Sequence, residues 1–119
     1  MTYDQIIIED LELMAAIGVF DHERIVRQPI IINLVLSLAP LGVKDDHQLS
    51  NVVRYDLICE QITILVNTGH IDLVETLAED IADICLAYDR CEQVDVRVMK
   101  TQAIQNASGV GVRLMRAKQ

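Results

Sequence analysis

Aromatic residues are scarce in this chain: there is no tryptophan, a single phenylalanine and three tyrosines in 119 residues. A core must therefore be filled by Ile, Leu, Val and Ala, which a 51% hydrophobic composition supplies. Positive charge is scarce as well, with 10 Lys and Arg against 18 Asp and Glu, a net charge of −8. That balance argues against nucleic acid, whose phosphates need clustered Lys and Arg, and against anionic membrane surfaces. No apolar run approaches bilayer length, and "MTYDQIIIED" lacks the basic start and long apolar segment of a signal peptide, so a cytoplasmic protein is expected. Cys59, Cys85 and Cys91 form an odd set without a C-x-x-C pair and read as buried reduced thiols. His22, His47 and His70 lie far apart, and none has a ligand-spaced partner, so no metal site is expected. Nucleotide-binding glycine motifs and the nucleophile-elbow pattern are missing too.

What the chain does contain is hydrophobic periodicity, enough for one domain over residues 1–119. "DQIIIEDLELMAAIGVF" is strand-like and ends at Gly18; "DHERIVRQ" is a charged connection. "PIIINLVLSLAP" alternates, with Ile30, Ile32, Leu34, Leu36 and Leu38 on one face and Asn33 and Ser37 on the other. "LGVKDDHQLSN" reads as a loop. Helical spacing of Ile58, Ile62, Leu65 and Val66 predicts a helix from Tyr55 to Asn67, stopped by Thr68-Gly69. A second helix is expected from about Asp72, with Leu73, Leu77, Ile81, Ile84, Cys85 and Tyr88 on its apolar stripe. Two alternating strands close the chain, carrying Val94, Val96 and Val98, then Val110, Val112 and Leu114.

The order ββααββ predicts an α+β layer: a four-stranded antiparallel sheet burying one face under two helices. The other face would mix Asn33, Ser37, Asp95, Arg97 and Arg113 with Ile31, Val35 and Met115. That is too apolar for a solvated surface and too polar for a core. With open sheet edges besides, it points to sheets joining between subunits into a barrel.

Candidate chemistry centres on Lys100, one of only three lysines, at the end of the third strand beside a polar loop. It reads either as a solvated strand end or as a partly buried amine that shuttles protons, a task arginine cannot perform near neutral pH. Glu75 reads as the partner of Asp72 in a capping box, or as a carboxylate free to accept paired N–H bonds from a ligand. Glu23 reads as solvated in its charged connection. Tyr55 opens the first helix, where a tyrosine packs its ring and exposes its hydroxyl. Gly109 and Gly111 in "SGVGV" suggest a close backbone approach or a bulge.

Together, "IGVFDHERIVRQPIIINLVLSL", "DDHQLSNVVRYDLI", "LVETLAEDIA", "VRVMK" and "SGVGVRLMR", in this order and spacing, resemble the dihydroneopterin aldolase family over nearly the whole chain. The chain is also similar to the pterin-epimerase branch. The resemblance implies the tunnelling fold, in which hairpins from four chains close a barrel and two rings stack into an octamer. It implies a metal-independent lyase of folate biosynthesis, without cofactor or lysine Schiff base, that cleaves 7,8-dihydroneopterin; 2′-epimerisation is the alternative outcome. It assigns the pterin anchor to Glu75 and backbone contacts to Val53 and Leu73. Tyr55 would come from a neighbouring chain, Lys100 would be the catalytic amine, and Glu23 would face the reacting end, so that the site lies between subunits. Ile17 stands where some members carry histidine, and "TQAIQNAS" where some carry Pro-Gly.

Overall fold

The structure, a computed structural model, describes residues 3–40 and 52–119. The expected loop at 41–51, His47 and the "DDHQLSN" part of the family pattern lie outside the described residues. Two long strands, β1 (Asp4–Ala15) and β2 (Gln28–Leu38), are followed by helices α1 (Tyr55–Asn67) and α2 (Val74–Leu86) and strands β3 (Cys91–Lys100) and β4 (Val110–Ala117). The sheet is antiparallel in the order β1-β2-β3-β4, as two hairpins joined through β2 and β3 require.

Alternation sets the layers. Ile32, Leu34 and Leu36 face Val98, Val96 and Val94 across the β2–β3 ladder, Ile30 faces Lys100, and all seven apolar residues are buried beneath the helices. The apolar phase of β1 slips between Ile8 and Leu11, and a bulge absorbs the slip. Asp10 takes a left-handed conformation (φ 54°) there, and its N–H donates to Asn33 Oδ1 at 2.8 Å. The extra residue keeps Ile6 and Ile8 on the same face as Leu11 and Leu13.

Helix α1 buries Ile58, Ile62 and Val66, and α2 buries Val74, Leu77, Ala78, Ile81, Ala82 and Cys85. Two expectations for α2 are corrected. The helix starts at Val74 with Leu73 as its N-cap, and no side chain caps it, so the Asp72–Glu75 capping box does not form. Leu73 leaves the apolar stripe and is exposed; Val74, Ala78 and Ala82 take up the packing, because small residues let the helix lie close on the sheet. The cysteines carry free thiols; burial pushes that of Cys85 up to about 12, leaving it unreactive. No helix among the described residues is long and apolar enough to cross a membrane.

Candidate active site

Lys100 lies on β3 in phase with Val94, Val96 and Val98, so its side chain enters the layer between sheet and helices rather than solvent. There its Nζ donates to Glu23 Oε2 at 2.7 Å. The expectation of a solvated Glu23 is thereby corrected: its side chain is 5% exposed and that of Lys100 14%. A short 3-10 helix, Asp21–Arg24, turns the glutamate inward.

The turn before it depends on Gly18, whose φ of +125° suits glycine and whose missing Cβ leaves room for the carboxylate. A Cβ there would stand 2.1 Å from the Glu23 carboxyl carbon. Gly18 is also tied to the segment preceding α2. Its N–H donates to Ile71 O at 2.9 Å, Ile71 N–H donates to Ala16 O at 2.8 Å, and the His70 ring lies 2.7 Å from Gly18 O. One set of backbone bonds therefore positions both Glu23 and the start of α2.

Burial alone would raise the Glu23 carboxyl. Hydrogen bonds from Lys100, Gln28 and the Phe20 N–H, with the charge of Lys100, outweigh it and hold the group at about 2 against an ordinary 4.5. Glu23 is a fixed negative charge near neutrality and a poor base. Gln28, which sequence reading passed over, donates Nε2–H to Glu23 Oε2 at 2.9 Å and to Ile17 O at 2.8 Å. Its only sequence signal is a polar residue directly before Pro29 in an apolar strand.

The pair opens on a cavity of about 420 Å³, within the range of small-molecule sites. Phe20, Val74, Ile104, Val110 and Val112 give it apolar walls, and Glu75 stands on it too. Glu75 is exposed and makes no hydrogen bond or ion pair with any described residue. Asp72, released from capping, pairs with Arg24 at 3.2 Å instead. Gly111 provides the close approach expected of it, since a Cβ there would meet Val98 O at 1.9 Å and force β4 off β3 beside Lys100. No bulge interrupts that ladder.

The fold thus brings Glu23, Lys100 and Glu75 onto one cavity. Tyr55, Leu73 and Val53 do not line it. Tyr55 and Leu73 are 60% and 46% exposed, and Val53 is buried with its carbonyl accepting Tyr55 N–H at 3.1 Å. No cluster of three or more His, Cys, Asp or Glu able to hold a metal ion occurs among the described residues.

A buried ammonium–carboxylate pair and an exposed carboxylate on one apolar-walled cavity define an α+β domain with a candidate small-molecule site. A model of the dihydroneopterin aldolase family matches residues 6–115. The dihydroneopterin aldolase of Streptomyces coelicolor is 34% identical over 100 residues, 84% of each chain. A folic acid synthesis protein of Dictyostelium discoideum is 36% identical over 115 residues, which are 95% of this chain and 17% of that protein. The crystal structure of the Escherichia coli dihydroneopterin aldolase in complex with neopterin superposes with a TM-score of 0.83 at 28% identity, covering 96% of this chain and 99% of that one. The chain belongs to the dihydroneopterin aldolase family, with its tunnelling fold, and its activity is the aldol cleavage of dihydroneopterin in folate synthesis.

Proposed function

We propose that the cavity binds the pterin ring through Glu75 and cleaves the side chain beside Lys100, with neither metal nor covalent lysine adduct. The observation that carries this reading is the contrast on one cavity between a carboxylate that no described residue pairs with and an ion-paired amine. The pterin 2-amino group and N3–H form a two-donor edge that a carboxylate accepts in parallel. No described residue competes for Glu75.

The 2′-hydroxyl loses its proton, the C1′–C2′ bond breaks, and glycolaldehyde departs. The bond electrons move to C1′=C6 as the N5=C6 double bond shifts its own pair to N5, which is protonated. Protonation of C1′ and loss of the N5 proton restore the imine, giving 6-hydroxymethyl-7,8-dihydropterin. The substrate's own imine is the electron sink, so the protein has only protons to move. The Lys100 ammonium has three N–H bonds; one is spent on Glu23, and another gives its proton through water to N5 as the amine so freed takes up the hydroxyl proton, which restores the ammonium. Glu23 holds that charge in place and accepts from the substrate hydroxyls with Oε1, whose one partner, Phe20 N–H, is distant at 3.4 Å.

The site is completed by a second copy, which lends Tyr55 to protonate the enamine carbon and its Val53 backbone beside the Leu73 backbone and the ring. Support comes from the exposure of Tyr55 and Leu73, two open edge strands, and a hollow of about 400 Å³ on the half-polar sheet face between Val35, Ser37, Asp95 and Met115. The chain is also elongated, 54 × 25 × 24 Å, as hairpins built to join others would be. A tetrameric ring or stacked octamer, working in the cytoplasm, is the expected form. Some 2′-epimerisation accompanies cleavage: a second hollow of about 170 Å³, sharing His22, Glu23 and Ala103 with the first, gives the aldehyde room to turn before it re-adds.

The test is an assay of 7,8-dihydroneopterin and its triphosphate that quantifies glycolaldehyde and the monapterin epimer, with native mass spectrometry for assembly. Glu75→Ala is expected to weaken pterin binding, and Lys100→Gln to lower turnover by orders of magnitude while pterin still binds. Intact affinity in the first or intact turnover in the second would overturn the reading.

A further inference from the structure

The mechanism needs the Glu23–Lys100 pair held still, and the ion pair alone does not achieve that. A single bond from Lys100 to Oε2 leaves the carboxylate free to rotate about it, and the Phe20 N–H at 3.4 Å is too distant to stop it. The remaining hydrogen-bonding restraint among the described residues is Gln28. It is the first residue of β2, directly before Pro29, a position whose backbone is confined to extended conformations. Its amide nitrogen sits between two acceptors, Ile17 O at 2.8 Å and Glu23 Oε2 at 2.9 Å, so both its hydrogens are used and the amide has only one sensible orientation. The carboxylate is thereby tied to the end of β1 as well as to the amine.

We propose that Gln28 is the positioning residue of this pair: its amide fixes the carboxylate in the orientation that aims the Lys100 amine into the cavity. Donors on two sides of Oε2 also keep Glu23 charged. The other charged and titratable groups around it are His22 and Arg27, which share the smaller hollow with it, and Glu75 across the larger cavity. None of these three hydrogen-bonds to Glu23. The inference rests on the proposed mechanism for its catalytic consequence but not for its electrostatic one, which a substrate-free measurement reads.

The experiment compares wild type, Gln28→Met, which matches length without a donor, and Gln28→Glu, which puts acceptors against acceptors. In the substrate-free assembled protein, an infrared pH titration isolates this carboxyl by subtracting the Glu23→Gln variant. Wild type is expected to stay ionised at about pH 4, and Gln28→Met to titrate at least one unit higher than wild type, roughly the worth of one lost donor. In turnover, kcat is expected to fall ~10- to 100-fold in Gln28→Met and further in Gln28→Glu, with KM for dihydroneopterin nearly unchanged. The acid limb of kcat/KM should move up with the carboxyl. A purely structural glutamine would lower Tm without moving either titration. Unmoved titrations in a folded Gln28→Met protein overturn the proposal; so does a wild-type Glu23 that titrates like an ordinary carboxylate, should that variant not fold. A wild-type protein that cleaves nothing, with the infrared shift as expected, leaves Gln28 in its role and removes the proposed mechanism instead.

Discussion

Two carboxylates stand on one cavity and have opposite fates. Glu23 is buried, accepts from three donors and is held at about 2. Glu75 is exposed on the first turn of α2 and bonds to no described residue. A carboxylate whose Oε2 already accepts twice from its own fold is a fixed charge that steadies an amine and keeps only Oε1 for a ligand. An unsatisfied carboxylate is the reverse, costing little while hydrated and gaining when two N–H donors replace water.

Removing the amine from the saturated end should have the largest effect. Lys100→Gln is expected to lower kcat by ~10²–10⁴ while still donating to Glu23, and steady-state kinetics would show KM little changed. Lys100→Ala should add a stability loss of about 3 kcal/mol in denaturant melts, because it strands a buried carboxylate. If the two variants were equally stable, the pair would not be the buried unit described here.

At the open end, Glu75→Gln should weaken pterin binding by ~10–100-fold in calorimetry, the worth of one or two charge-assisted bonds. Its unfolding midpoint should stay that of wild type, since no hydrogen bond or ion pair with a described residue is lost. A loss of stability comparable to the loss of binding would restore the capping role that the structure denies it.

Gly18→Ala attacks the saturated end without touching a titratable group. Strain at a φ of +125° and the clash with the Glu23 carboxyl should together cost about 1–3 kcal/mol and lower kcat more than pterin affinity. Loss of affinity without loss of turnover would show that the turn serves Glu75 rather than Glu23.

The pH dependence follows from the sign of the Glu23 shift. Its folded value, about 2, lies below the ordinary 4.5, so the pair's stabilisation is fully present above 4.5 and is lost as pH falls toward 2. Glu23→Gln should flatten that part of the stability curve, as chemical denaturation at a series of pH values would reveal. The smallest effect is expected at the surface, where Arg24 and Asp72 pair at 3.2 Å with their side chains 49% and 64% exposed. Arg24→Ala should cost under ~1 kcal/mol.

Much of the fold was legible because periodicity is a local property. Alternation in 30–38 and 94–98 and helical spacing in 55–67 named the buried faces. The β1 bulge was present as a phase slip in "IIIEDLEL" and was not read, since a slip means nothing until a partner strand shows which face is buried. At the site, the resemblance named Lys100, Glu23 and Glu75, yet the residues alone left each between a bland and a functional reading. Leu73 was placed on the apolar stripe because its spacing fits; the helix begins one residue later, and the choice between capping and free carboxylate turned on that one residue.

The element order, the composition of the core and the parity that sends Lys100 inward with Val94, Val96 and Val98 are all written locally, because each depends on neighbours a few positions away. Which charges meet is settled by packing alone. Glu23 and Lys100 are separated by 77 positions, and their contact exists because a glycine turn, a glutamine at a strand start and a strand end converge in space. Such pairing over long separations leaves no periodic trace, since burial and hydrogen bonding are properties of the packed chain.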